Sequence, residues 1–364
     1  MSMNVRTITL GVDAVSLHTL SDWTNCIREA ATILTSLSTT INEILGLEVQ
    51  TTRISTNPFG EWMMKGTWAN VDEILNHIDQ ECSRFGIDLV SVGPALSIED
   101  LDLVPTILDA SGKFSCSALV QTVSSSSGTS FNVPHEEMIV KVSKTILNLP
   151  NLSKGGACFR FCVSANCLPH TPFFPVAYYK ADEESSRSPK PSPMSLTFGL
   201  ENSGVFVQAL SSKTSGHLTL KEARETLLVS LNNALKPLDE LAENFALKYG
   251  SSLVYRGIDT SLNPSLKEEY SIVNVFESVG VGNASVAFGG VGSLAVSAML
   301  TGVLKSIDVK KTGFCGNMLP ILEDRKVSIM TSSSHPRPFP AHPINISCSN
   351  SLFAVGRRCF NWCE

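Results

Sequence analysis

The sequence predicts an α/β fold: a largely parallel sheet flanked by helices, closed as a barrel or wound as a large open sheet. Two observations carry this expectation. Short apolar, β-branched runs alternate with long helical patterns, the order that builds parallel sheets. Hydrophobic residues make up 43% of the 364 and charged residues only 17%, enough apolar side chain for a large core.

Val5 to Val12 (VRTITLGV) reads as the first strand. A helix over Leu20 to Leu45 follows, with Thr19 or Ser21 able to cap it and Gly46 to end it. Within it Trp23, Ile27, Ala30, Leu34 and Leu37 keep near-helical spacing. Gln50 to Ser55 is a strand, Val71 to Phe85 a helix between Asn70 and Gly86, and Leu89 to Val92 a short buried strand. A helix over Ile98 to Leu108, a strand over Phe114 to Val123, a loop at Ser124 to Gly128 and a helix over His135 to Leu147 come next. Ala157 to Val163 reads as a strand, which would set Cys158 and Cys162 on one face.

Residues 179–193 hold the run DEESSRSPKPSP and read as an exposed loop. Met194 to Leu200 is a strand, with Val205 to Ala209 as a candidate partner strand. Leu220 to Tyr249 is a long helix closed by Gly250, Leu253 to Ile258 a strand, Tyr270 to Ser278 a short helix and Ser293 to Ser306 a buried helix. Phe314 to Ile321 reads as a last strand. Residues 1–330 are thus expected to form one domain. Residues 331–364, poor in periodicity and scattered with proline, are expected to form an irregular or disordered tail.

Charge and composition narrow the partners. Net charge is −6 and no Lys/Arg run stands out, so nucleic acid is not expected as a partner. The start MSMNVRTITLGVDAV lacks the basic and apolar regions of a secretory signal, so a cytoplasmic location is expected. The ten cysteines then read as reduced, buried thiols. Ser278 to Leu304 carries no charge, but five glycines before Ser293 make it a turn followed by a buried helix rather than a membrane span. Few charges leave apolar surface for a homo-oligomer, and no cofactor or metal is assigned.

Phosphate-loop, zinc-protease, nucleophile-elbow and dinucleotide-binding motifs are absent. Weaker signals remain. Gly289 to Ser293 precedes a helix, and its amides, those of Gly290 and Ser293 among them, either cradle an anion or allow close packing. Asp259, Ser261 and Asn263 follow a strand and either meet a ligand or cap a turn. Glu201 also follows a strand, and Arg53 and Asn57 flank the end of the second. If those strands all run parallel, Arg53, Glu201, Asp259 and Cys315 share one rim. An arginine with carboxylates there would orient a small anionic substrate and move protons. Cys315 is either a packed thiol or a nucleophile, with His170 as its candidate base.

These segments resemble a known family. RTITLGV, RISTNPF, GIDLVSVGPAL, FRFCVSANCLPHTPFFPVAYY, LTFGLENSGVF, YRGIDTSLNP, FGGVGS and GFCGNMLPILED resemble, in order, the domain of unknown function 711 family over Arg6 to Asp324. The resemblance implies an α/β barrel like that of pyruvate formate-lyase and other glycyl-radical enzymes, without their radical loop and without their chemistry. It carries functional weight to Asp259 and Glu201, and then to Cys315 and Glu323. After Asp324 the chain departs from the family's pattern, which suggests a truncated or alternatively spliced end. The expected function is an enzyme, or a protein derived from one, acting on a small polar or anionic metabolite by acid–base chemistry. The alternative is a non-catalytic ligand-binding or regulatory protein on the same fold.

Overall fold

The computed structural model describes residues 3–121, 136–182, 192–211, 218–281, 284–285, 287–320 and 323–331. The Ser124–Gly128 loop, most of the 179–193 loop and the tail beyond residue 331 lie outside them. Seven strands form one sheet: β1 (Asn4–Val12), β2 (Thr52–Thr56), β3 (Leu89–Ala95), β4 (Phe114–Gln121), β5 (Phe161–Ala165), β6 (Met194–Glu201) and β7 (Leu253–Asp259). Their order is β5-β4-β3-β2-β1-β6-β7. The first five strands run parallel, and β6 joins β1 antiparallel with β7 parallel to it.

Two expectations are corrected here. β5 and β7 do not pair with each other, so among the described residues the sheet is open and not a closed barrel. The reversal at β6 also places the carboxyl ends of β6 and β7 at the amino ends of β1 and β2. Apolar, β-branched runs report burial, and they carry nothing about which way a strand points.

The helices are α1 (Leu20–Leu45), α2 (Val71–Phe85), α3 (Val104–Ala110), α4 (Glu136–Asn148), α5 (Ser203–Ser211), α6 (Leu220–Leu247), α7 (Ile272–Glu277), α8 (Ser293–Ser306) and α9 (Arg325–Thr331). Thr19 and Asp22 form a capping box on α1, and Gly46 ends that helix in the left-handed region. Asn70 caps α2, and Thr219 with Glu222 boxes α6. Helix α1 packs on β1 and α2, α3 on β4, and α6 on β7 and α8.

Four further elements differ from the sequence reading. Val205 to Ala209 lies in α5, not a strand. Cys158 sits in a 3-10 turn before β5, off the strand that carries Cys162. The helix expected from Ile98 starts at Val104, after a 3-10 turn. Phe314 to Pro320 forms no strand, and Asn317 makes only an isolated bridge to Leu262.

The two faces of the sheet have opposite chemistry. Ile8, Leu10, Ile54, Val90, Phe198 and Ile258 bury against the helices in the main core. The other face carries Thr7 and Thr9 of β1, Ser55 of β2, Ser91 of β3, Ser115 and Ser117 of β4, and Ser195 and Thr197 of β6, all buried. Register confirms the shared face, because Thr9 pairs with both Arg53 and Thr197, and Ser55–Ser91–Ser115 form one row.

A strap formed by residues 166–182 covers this polar face. The hydroxyls hold it: Thr9 Oγ1 donates to Pro172 O (2.9 Å) and Ser91 Oγ to Ala177 O (2.7 Å). Tyr179 N donates to Thr56 O at 2.8 Å, and His170 Nδ1 pairs with Ser195 Oγ at 3.1 Å. The close approach requires glycine below it. A Cβ on Gly199 would lie 2.6 Å from Phe173, and one on Gly11 2.7 Å from the Tyr179 ring. Cys162, Cys167, Val176 and Tyr178 form a second, smaller core on this side, with Phe314 packed against it.

Candidate functional site

Strand β2 alternates. Ile54 enters the helical core, while Arg53, Ser55 and the following Asn57 fall on the strap side. Arg53 is only 8% exposed. Its Nε donates to Thr51 Oγ1 at 2.9 Å, and its guanidinium lies over the Phe174 ring at 4.9 Å. Among the described residues no carboxylate pairs with it and no acceptor meets its terminal nitrogens. Burial, with Arg6 nearby, pulls its pKa down to about 10, partly opposed by Asp88, so it stays charged at neutral pH.

Unused hydrogen-bonding capacity continues along the same face. No hydrogen bond reaches the Ser55 hydroxyl among the described residues. Asn57 Oδ1 is buried without a partner, although its backbone oxygen accepts from Thr56 Oγ1 (2.9 Å) and Trp62 Nε1 (3.2 Å). Ser115 Oγ and Ser117 Oγ are likewise buried and unpaired. Native interiors pair most such groups, and each one left empty costs about 1–3 kcal/mol. Arg53 and Asn57 are four residues apart, about 13 Å along an extended strand.

Asp259 is fully buried and its oxygens are occupied. Oδ1 accepts from Ser261 N (3.0 Å), Ser261 Oγ (2.6 Å) and Cys315 N (3.1 Å), and Oδ2 from Phe314 N (2.9 Å). Burial raises its pKa, while these four donors favour the carboxylate. The arrangement clamps the 313–316 turn to the end of β7. Glycine is required at 313, because φ is +72 and a Cβ there would fall 2.2 Å from Asp259 Oδ2. Asn263 Nδ2 donates to Leu200 O and Ser261 O, and Asn202 Nδ2 to Ser261 O (2.9 Å), stitching the ends of β6 and β7 together.

The remaining sequence candidates lie apart. Glu201 pairs with Asn4 in register and accepts from Gln50 Nε2. Asp259 and Arg53 share a sheet face but sit three strand spacings apart, roughly 14 Å. Phe173, seated over Gly199, comes between them. Cys315 Sγ faces Thr312 O at 3.3 Å, and burial with the Asp259 charge raises its thiol pKa. The His170 ring is engaged with Ser195, while Thr312 Oγ1 donates to His170 O (2.9 Å). At the glycine turn, Gly289 N donates to Ser293 Oγ (2.9 Å) and Gly290 N to Ala287 O (2.9 Å), so those amides are spent internally.

Asp324 is fully buried and caps α7 and α9 by accepting from Ile272 N (2.9 Å) and Val327 N (3.2 Å). Among the described residues no cluster of three or more His, Cys, Asp or Glu could hold a metal, and no helix is long and apolar enough to cross a membrane. The unpaired hydroxyls Ser55, Ser115 and Ser117 and the stacking Phe174 were missed in the sequence. The available signal was the Ser/Thr alternation with apolar residues in T-I-T, R-I-S-T-N and S-C-S, a pattern that ordinarily marks a solvent-facing side.

The chain belongs to the family described as Uncharacterised ACR (DUF711), whose model matches residues 1–335. No curated protein matches the chain.

Proposed function

We propose that this member of the DUF711 family binds a small anionic ligand on the strap-covered face of its sheet, with Arg53 as the anchoring cation. The observation that carries the reading is an arginine side chain, 8% exposed, that has no anionic partner among the described residues, stacks on Phe174 and uses one of its donors. A planar fork of this kind suits a carboxylate or phosphate. Non-catalytic binding is favoured over acid–base catalysis. Asp259 spends its oxygens on four protein donors, and Glu201 and Cys315 face other partners.

The test is calorimetric titration with acetate and with inorganic phosphate at low ionic strength, on the wild type and on Arg53→Met. The stem and the Phe174 contact survive that substitution, so folding is kept. Binding should weaken about tenfold or more in the variant, and further as salt rises. Equal affinity in the two proteins, or no binding to either, contradicts the reading.

A further inference from the structure

We infer that the anion held by Arg53 is a phosphate group and that Arg6 is its second cation; the inference rests on the Arg53 reading above. The Arg53 side chain does not run along β2 towards Asn57. It leans back to the amino end of the strand, where Nε donates to Thr51 Oγ1 at 2.9 Å. The same hydroxyl donates to Arg6 O at 2.8 Å, so Arg53 Nε and the Arg6 backbone lie within about 6 Å of each other. Arg6 is half-buried and sits at the irregularity of β1 between Val5 and Thr7. After burial, its charge is the next influence pulling the Arg53 pKa down.

Two guanidinium groups thus stand close together without an anion. Among the described residues no ion pair engages either one. The carboxylates at this end of the sheet are occupied. Asp88 Oδ2 accepts from Thr52 N (2.8 Å) and Thr52 Oγ1 (3.1 Å), and Glu201 accepts from Gln50 Nε2. Access sets this place apart from the rest of the polar face. Asn57 Oδ1, Ser115 Oγ and Ser117 Oγ are sealed from solvent, whereas the unpaired terminal nitrogens of Arg53 are not. An anion in solvent can therefore reach them with the strap in place.

Like charges this close repel, and a carboxylate neutralises only one of them. A phosphate group carries a charge of about −1.5 to −2 at neutral pH and three strong acceptor oxygens. It can take the free edge of Arg53, whose plane is fixed on Phe174, and a second fork from Arg6 at once. The ligand class is then a phosphate monoester or free phosphate rather than a carboxylic acid.

The probes are inorganic phosphate, methyl phosphate and acetate, titrated at low ionic strength into the wild type, Arg6→Met and Arg53→Met. Both phosphates should bind the wild type about tenfold tighter than acetate, and the tighter of the two tells an ester from free phosphate. Arg6→Met keeps most of the stem and should weaken phosphate about tenfold, but acetate no more than about twofold. A measurement without ligand separates this from a structural role. Relief of repulsion should raise the melting temperature of Arg6→Met by about 1 °C at low salt, and high salt should abolish the gain. Saturating phosphate should reverse the order of the two proteins. A lower melting temperature of ligand-free Arg6→Met, equal affinity of the wild type for phosphate and acetate, or equal weakening of both in Arg6→Met overturns the two-arginine site and leaves the Arg53 anchor standing. Phosphate affinity unchanged in Arg53→Met instead removes the anchor, and this inference with it.

Discussion

The two faces of the sheet are buried to a similar degree and held by different forces. On the helical side Ile8, Ile54, Phe198 and Ile258 interlock with α1 and α6, and stability follows apolar area. On the strap side buried hydroxyls meet backbone carbonyls one at a time, as in Thr9 with Pro172 and Ser91 with Ala177. A face built of hydrogen bonds can be complete or incomplete at named atoms, and this one is incomplete along β2 and β4. Burial alone therefore does not identify a structural surface. The polar face is where unused recognition capacity remains.

The sharpest way to separate the faces is truncation. Phe198→Ala, on the helical side, should cost about 4 kcal/mol in chemical denaturation, because the fully buried ring leaves a cavity. A loss below about 1 kcal/mol would mean that this face is not the main core. Asp259→Ala should cost about 3 kcal/mol, since three backbone donors and the Ser261 hydroxyl lose their acceptor. Proteolysis should also open the 313–316 turn in that variant. A stable variant with an intact turn would return Asp259 to the list of candidate catalytic groups.

The strap should respond to acid. Burial and the nearby Arg256 lower the His170 pKa from 6.5 to about 4, opposed by Asp182. Between those values the unfolded chain binds more protons than the folded one. Stability is therefore full above about pH 6.5 and falls as pH drops towards 4, by about 3 kcal/mol. His170→Gln should flatten that part of the profile. An unchanged slope would assign the acid sensitivity elsewhere. The smallest effect belongs to Ser117→Ala, which removes an unpaired hydroxyl and should change stability by less than about 1 kcal/mol, in the stabilising direction. Destabilisation on the scale of Phe198→Ala would erase the contrast between the faces.

Much of the fold was legible in the chain. Thr19 and Asn70 cap helices as their positions imply, and Gly46 and Gly86 stop two of them. Strand polarity was not legible, because β6 reads the same in either direction, and the expected common rim depended on it. Val205 to Ala209 looks β-branched and apolar, yet becomes helical where burial rather than propensity decides. At the site, Arg53 and Asn57 were found as polar residues near a strand end. Ser55, Ser115 and Ser117 were not, since a hydroxyl alternating with apolar residues reads as solvent-facing until the strap is known to cover it.

The most direct measurement is a crystal structure of the protein grown with inorganic phosphate, at a resolution that separates ligand from water. The account predicts a phosphate on the Arg53 guanidinium, on the edge left free by its stacking with Phe174. Ordered water alone at Arg53, or phosphate bound only at other places, would contradict it.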